Sequence, residues 1–190
     1  VDASYLTAPG YSGMYSQYLF MTPYFTLIRF GKWDDVLNTP AVADSFVYAN
    51  LIWHYGRGLA YSRKHDFANA ENELNMLRAD MNNLQLQDHP VAFNPGIAGA
   101  EVAEKILQGV IAQESNDLDG AIDMLQAARD LEDNMLYNEP KDWVHPAREY
   151  LGEVYIKAKK YQQAENTYRE DLKINPTKGW SLTGLEMALK

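Results

Sequence analysis

The stretch 146–176, PAREYLGEVYIKAKKYQQAENTYREDLKINP, constrains the fold more than any other. Two helical patterns meet across a very short break, so the helices have to lie side by side and antiparallel. Gly152 is small where the pair must approach closely, and Ala164 is the matching small residue on the second helix. Tyr155, Tyr161 and Tyr168 recur at spacings that fill the wedge around that contact, and Pro176 ends the unit.

The same spacing occurs elsewhere in the chain. Tyr24, Gly58, Gly109 and Gly152 take equivalent places, followed three residues on by Leu27, Tyr61, Ala112 and Tyr155. Nine residues on come Trp33, Phe67, Leu118 and Tyr161, and twelve on come Val36, Ala70, Ala121 and Ala164. Sixteen on stand Leu74, Leu125 and Tyr168, where the first copy has Pro40 and ends early. A lone hairpin cannot bury both of its faces, so the copies are expected to stack on one continuous core.

Read in order, 1–13 is a polar, turn-rich lead-in. Helical patterns follow from Met14, with a fresh start or kink at Thr22-Pro23, where Thr22 is the expected N-cap, and a short helix over 33–37. Further helices are expected over 41–64, 67–84, 97–113, 117–131, 146–159, 161–174 and 177–190. Polar insertions interrupt the array at 85–95 and 132–145. No strand-like alternation occurs, so the class is all-α.

The pattern resembles the tetratricopeptide repeat, which has a small residue, Tyr three later, an aromatic after the turn, then Ala, an aromatic and Pro. Gly152, Tyr155, Tyr161, Ala164, Tyr168 and Pro176 match it closely, and Gly58, Tyr61, Phe67, Ala70 and Leu74 match well. The resemblance implies a right-handed α-solenoid of helical hairpins, about four and a half repeats over one domain, 14–190. A narrower likeness is to bacterial members of that family with the strings ED, YxEP, W, P and R, then YREDL, then GWSLxGL. Here these are Glu132-Asp133, Tyr137 to Pro140, Trp143, Pro146 and Arg148, Tyr168 to Leu172, and Gly179 to Leu185. Those relatives are longer at the N-terminus, so the chain, which begins at Val1, is expected to be the C-terminal part of a longer protein.

In such repeats fixed places on each first helix line a concave groove. Transferred residue by residue, the resemblance implies Tyr18, Met21, Phe25 and Arg29 at one end, with Ile52, Tyr55 and Arg63 beside them. Gln113, Glu114, Glu149, Glu153 and Lys157 form the other end. One half of the groove is aromatic with two arginines and the other is acidic. Such a surface suits an extended peptide or a helix, the arginines gripping a carboxylate. The alternative is that Tyr18, Met21 and Phe25 are covered by the chain upstream.

Composition removes several classes. A net charge of −9 argues against nucleic acid and anionic lipid. The absence of cysteine excludes disulfides, thiolate catalysis and Cys-bound zinc. No apolar run approaches the roughly 18 residues that span a bilayer. The four histidines form no HxxxH or HExxH pair, and no phosphate loop or nucleophile elbow occurs, so no cofactor is expected. His54, between Trp53 and Tyr55, is expected to be packed or hydrogen-bonded. Glu132, Asp133, Glu139, Asp142 and His145 offer the one oxygen-rich cluster that could gather a divalent cation, and with it a metal-assisted enzyme. The competing reading is a loop shaped by Pro140 and Pro146, pinned by Tyr137 and Trp143, with Arg148 paired to a carboxylate. The balance favours a non-catalytic module that binds protein or peptide through its groove, ahead of an accessory subunit that docks through its ends and insertions.

Overall fold

A computed structural model describes residues 3–190, and every regular element in it is a helix. In chain order these are α1 (Ala3–Leu6), α2 (Tyr11–Phe20), α3 (Thr22–Arg29), α4 (Trp33–Asn38), α5 (Val47–Arg63) and α6 (Phe67–Asp80). Then come α7 (Leu84–Asp88), α8 (Gly96–Glu114), α9 (Leu118–Asp133), α10 (Ala147–Lys157), α11 (Tyr161–Ile174) and α12 (Gly179–Leu189). No strand forms among the described residues. Helix pairs α5–α6, α8–α9 and α10–α11 pack together, α5 also packs on α8, α9 on α10, and α12 on both α10 and α11.

The pairs are reversed by one device, repeated four times. Gly31, His65, Asn116 and Lys159 all have a left-handed backbone, with φ of 61°, 59°, 70° and 58°. The next residue's N–H closes back on the carbonyl five places earlier: Lys32 on Leu27, Asp66 on Tyr61 and Asp117 on Ala112 at 2.9 Å each, Lys160 on Tyr155 at 2.8 Å. The left-handed residue bonds in turn to Ile28, Ser62, Gln113 and Ile156. This is the Schellman ending, which satisfies carbonyls that a helix end would leave bare. The four accepting residues, Leu27, Tyr61, Ala112 and Tyr155, are the ones that spacing alone had aligned.

Three of the four turns use a residue with a Cβ where glycine is easiest. Lys159 is exposed and its side chain has no partner among the described residues. Lys159→Gly is therefore expected to raise stability by about 0.5–1 kcal/mol. Urea melts followed by circular dichroism check this, and an unchanged or lower midpoint would count against the turn.

The glycines show how the helices approach. A Cβ on Gly109 would lie 2.5 Å from Leu125 of α9, and one on Gly152 would overlap the ring of Tyr168 on α11, as expected for the close contact inside a hairpin. Gly58 differs. Its Cβ would strike Leu107 of α8, 2.5 Å away, while one on Gly56 would strike Tyr24 and Ile28 of α3. Residues two apart lie on nearly opposite faces of a helix. Gly56 and Gly58 therefore let α5 be pressed between α3 and α8, and Gly58 does not serve its own partner α6.

Several boundaries move for local reasons. Helix α1 falls wholly and α2 partly inside the expected lead-in, and Thr22 sits in the first turn of α3, with Met21 at the N-cap position. The helix expected from residue 41 begins at Val47, where the buried Gln17 side chain supplies an acceptor. Its Oε1 receives the N–H groups of Tyr48 and Ala49 at 2.8 and 3.2 Å, and its Nε2 donates to the Leu6 carbonyl at 2.8 Å. A remote side chain thus caps α5 in place of a local one. The 85–95 insertion contains most of α7, which buries Leu86, and Glu132 and Asp133 close α9 instead of starting a loop.

Candidate functional site

The segment 134–146 lies across α3 and α5. Trp143 is buried edge-on between Phe25 and Tyr55, with ring centroids 6.5 and 5.3 Å away, and its Nε1–H donates to the His145 carbonyl at 2.7 Å. His145 is buried too, with its Nε2 3.2 Å from the Phe25 carbonyl, an arrangement that makes the ring a donor. Burial, helped by the Arg29 charge, pushes its pKa down to about 3, so the ring is neutral at physiological pH. The Tyr18 hydroxyl donates to the Lys141 carbonyl at 2.9 Å. Asp142, also buried, fastens this segment to the other insertion: it accepts the N–H groups of Phe93 and Asn94 and the Asn94 side-chain amide.

The aromatic end of the expected groove is therefore packed against the chain itself. Tyr18, Met21, Phe25 and Tyr55 are all buried, Tyr55 completely. The covering segment comes from 134–146, downstream in sequence. Substituting Tyr55 would test folding before it tested binding. The charged members pair with one another. Arg29 grips Glu149 with both terminal nitrogens, Nη2 to Oε1 being 2.9 Å, and lies 4.5 Å over the Trp180 ring. Arg63 holds Glu153 at 2.7 and 2.8 Å and Glu114 at 2.9 Å. Lys157 donates to the Gln113 carbonyl at 2.9 Å. Burial alone would raise the Glu153 carboxyl, but its bonds to Arg63 and Gln113 outweigh that and hold it below the usual range.

Past these pairs a cleft of about 810 Å³ stays open between α3–α4 and α10–α12. Phe30, Trp33, Tyr150, Tyr168, Trp180 and Met187 supply its apolar wall, and Arg29, Arg63, Glu149 and Glu153 its balanced charges. Phe30 and Trp180, 61% and 46% exposed, meet edge to face at 5.5 Å. The expected groove list held four residues of this cleft, Arg29, Arg63, Glu149 and Glu153, and missed its aromatics. Phe30 lies one place outside the family pattern, and Trp180 lies beyond the last full repeat.

The oxygen-rich cluster disperses. Glu132 Oε2 accepts the Ala147 N–H at the start of α10 at 2.7 Å, and Asp133 pairs with Arg148 through two bonds of 2.6 and 2.7 Å. Glu139 accepts the Tyr137 hydroxyl, and Asp142 and His145 have the partners given above. No group of three His, Asp or Glu side chains able to hold a metal ion occurs among the described residues. Trp143 pins the loop and Arg148 pairs with a carboxylate, as expected, but Tyr137 is 71% exposed and does not pack on the core. His54 is buried and hydrogen-bonded, Nδ1 to Glu73 at 2.6 Å, with Arg57 on the same carboxylate at 2.7 Å.

A smaller cavity of about 180 Å³ lies where the end of α9, the 134–146 segment and the end of α11 meet, lined in part by Glu132, Lys141, Arg148 and Asp171. Burial pushes the Glu132 carboxyl up to about 7 against the Ala147 hydrogen bond and the Lys141 and Arg148 charges. No helix among the described residues is long and apolar enough to cross a membrane. No family model matches the chain, and no curated protein or solved structure is significantly similar to it.

Proposed function

We propose that the chain is a non-catalytic protein-binding module, a right-handed solenoid of tetratricopeptide-like hairpins that receives an extended peptide. The peptide's apolar side chain enters the cleft beside the packed Phe30–Trp180 pair. The observation that carries this is the cleft itself: about 810 Å³, walled by aromatics and open to solvent, with Phe30 and Trp180 exposed at its mouth. Sites of this size, apolar with a few fixed polar groups, suit a ligand side chain and its flanking backbone. Exposed aromatic anchors are the residues on which binding energy concentrates. The four turns in register support a repeat architecture.

Selection from a random peptide display library tests the function. Enriched peptides should share an apolar anchor and bind at least tenfold more weakly to Trp180→Ala and Phe30→Ala, each shown by its urea melt to be folded under the assay conditions. A second reading, an accessory subunit docking through its insertions, is favoured by one patch. Phe93, Leu136 and Tyr137, each 66–71% exposed, project from the two clasped insertions, joined by Asn94 bonds to both backbone groups of Leu136. Binding that ignores the cleft substitutions and is lost on Leu136→Asp would select that reading instead.

A further inference from the structure

In the small cavity beside α10, Glu132 and Lys141 enter no ion pair among the described residues, and each keeps hydrogen-bonding capacity unused. Among the described residues Glu132 enters no ion pair; its Oε2 takes the Ala147 N–H, and its Oε1 receives no donor. Lys141 reaches only an amide oxygen, Asn175 Oδ1 at 2.6 Å, with its ammonium 5.8 Å from the Tyr137 ring centre. The other charges in the lining are paired or bonded. Arg148 has Asp133, and Asp171 accepts from Asn175 at 2.8 Å and from Ser181. Lys141 and Arg148 act on Glu132 only at a distance, so a half-buried carboxylate and ammonium each lack a contact partner of opposite charge, which is costly unless a ligand supplies it.

We propose that this cavity binds a free amino acid, or a zwitterion of the same size, with its ammonium on Glu132 and its carboxylate on Lys141. Met135, Leu136 and Ile174 line the same cavity and give its side chain an apolar wall. The volume, about 180 Å³, is about six times the ~30 Å³ share of one liquid water, enough for an amino acid and too little for a nucleotide. Both charge signs in one small space match a zwitterion better than a simple anion or cation. The site lies apart from the peptide cleft, so the two stand or fall separately.

The titration of Glu132 adds a signature. Its carboxyl faces the Ala147 N–H, Lys141, Arg148 and Asp171, and it holds its proton up to about pH 7. A protonated Glu132 offers no charge to an ammonium, so affinity should weaken about tenfold per pH unit below 7.

Isothermal titration of the whole chain with free L-amino acids, leucine and methionine first, at pH 8 is the test. One saturable site is expected. The carboxylate-only analogue 4-methylpentanoate and the amine-only analogue 3-methylbutylamine should each bind at least tenfold more weakly than leucine. Glu132→Gln keeps an oxygen for the Ala147 N–H, and Lys141→Met keeps the stem; each should lower affinity at least tenfold without moving the melt. Glu132→Gln should also abolish the pH dependence. The proposal is overturned if no amino acid binds more tightly than about 10 mM. It is equally overturned if leucine and 4-methylpentanoate bind alike, or if Lys141→Met and Glu132→Gln leave affinity unchanged.

Discussion

Leucine at Gly184 or at Gly152 is expected to lower stability by about 3 kcal/mol or more, the upper end of what overpacking costs. The Tyr168 ring is held between the two glycines, and a Cβ on either would overlap ring atoms Cζ, Cε1 and Cε2. A ring pushed from one side usually escapes to the other. Here an escape from Gly152 on α10 leads into Gly184 on α12. Alanine gives the sharper comparison. In a helix interior Gly→Ala ordinarily stabilises by about 0.5–1 kcal/mol. At these two positions the sign should reverse, and Tyr168→Leu in the Gly184→Ala background should restore part of the loss. Urea midpoints measure all of this. A Gly184→Ala protein as stable as the parent would show that the ring is not confined.

Asp142→Ala should cost about 3–4 kcal/mol, because it strands donors in a dry place. The carboxylate accepts Phe93 N–H at 3.2 Å, Asn94 N–H at 2.8 Å, Asn94 Nδ2 at 2.7 Å and Asn138 Nδ2 at 3.1 Å. Nothing else in the described structure is placed to take the two backbone groups. The loss should be local first. Hydrogen exchange should accelerate at 91–95 and 134–145, and Trp143, buried at 2% exposure, should shift its fluorescence to the red. Asp142→Asn should fall between, since an amide oxygen can still receive Phe93 and Asn94 while its own N–H groups face the Asn138 donor. A cost below about 1 kcal/mol for Asp142→Ala would mean the insertions are held together by something other than this clasp.

Most of the helices were legible in the sequence because their determinants are local. The Gly152–Tyr168 contact joins residues sixteen apart, and each turn closes through a bond five residues long. What was not legible joins residues that spacing cannot relate. Arg29 meets Glu149 and Tyr18 meets Lys141, each pair separated by about 120 positions. Yet one signal was present. Arginines at one end of the inferred groove and glutamates at the other are explained as well by each other as by a ligand, and Arg29–Glu149 and Arg63–Glu153 pair in that way. Trp143 and His145 looked like loop residues because prolines flank them, and nothing local says that a loop tryptophan will fill a groove. Gln17 is a third case. A glutamine on the second turn of one helix gives no hint that it caps another, because its role depends on where α5 arrives.

The contact of α3 with α10 and α12 has a consequence for how the molecule comes apart. A row of repeats in which each touches only its neighbours melts from its tips, and its stability grows as units are added. Here α3 reaches α10 and α12 through Arg29, Glu149, Phe30 and Trp180, and Tyr18 reaches the strap before α10. These contacts tie α3 to α10 and α12 across the open cleft, so these helices are held by more than their neighbours in sequence. Parting α3 from α10 and α12 means breaking these contacts, so hydrogen exchange in these helices should rise together. A further helix pair inserted between α6 and α10 would carry Arg29 out of reach of Glu149.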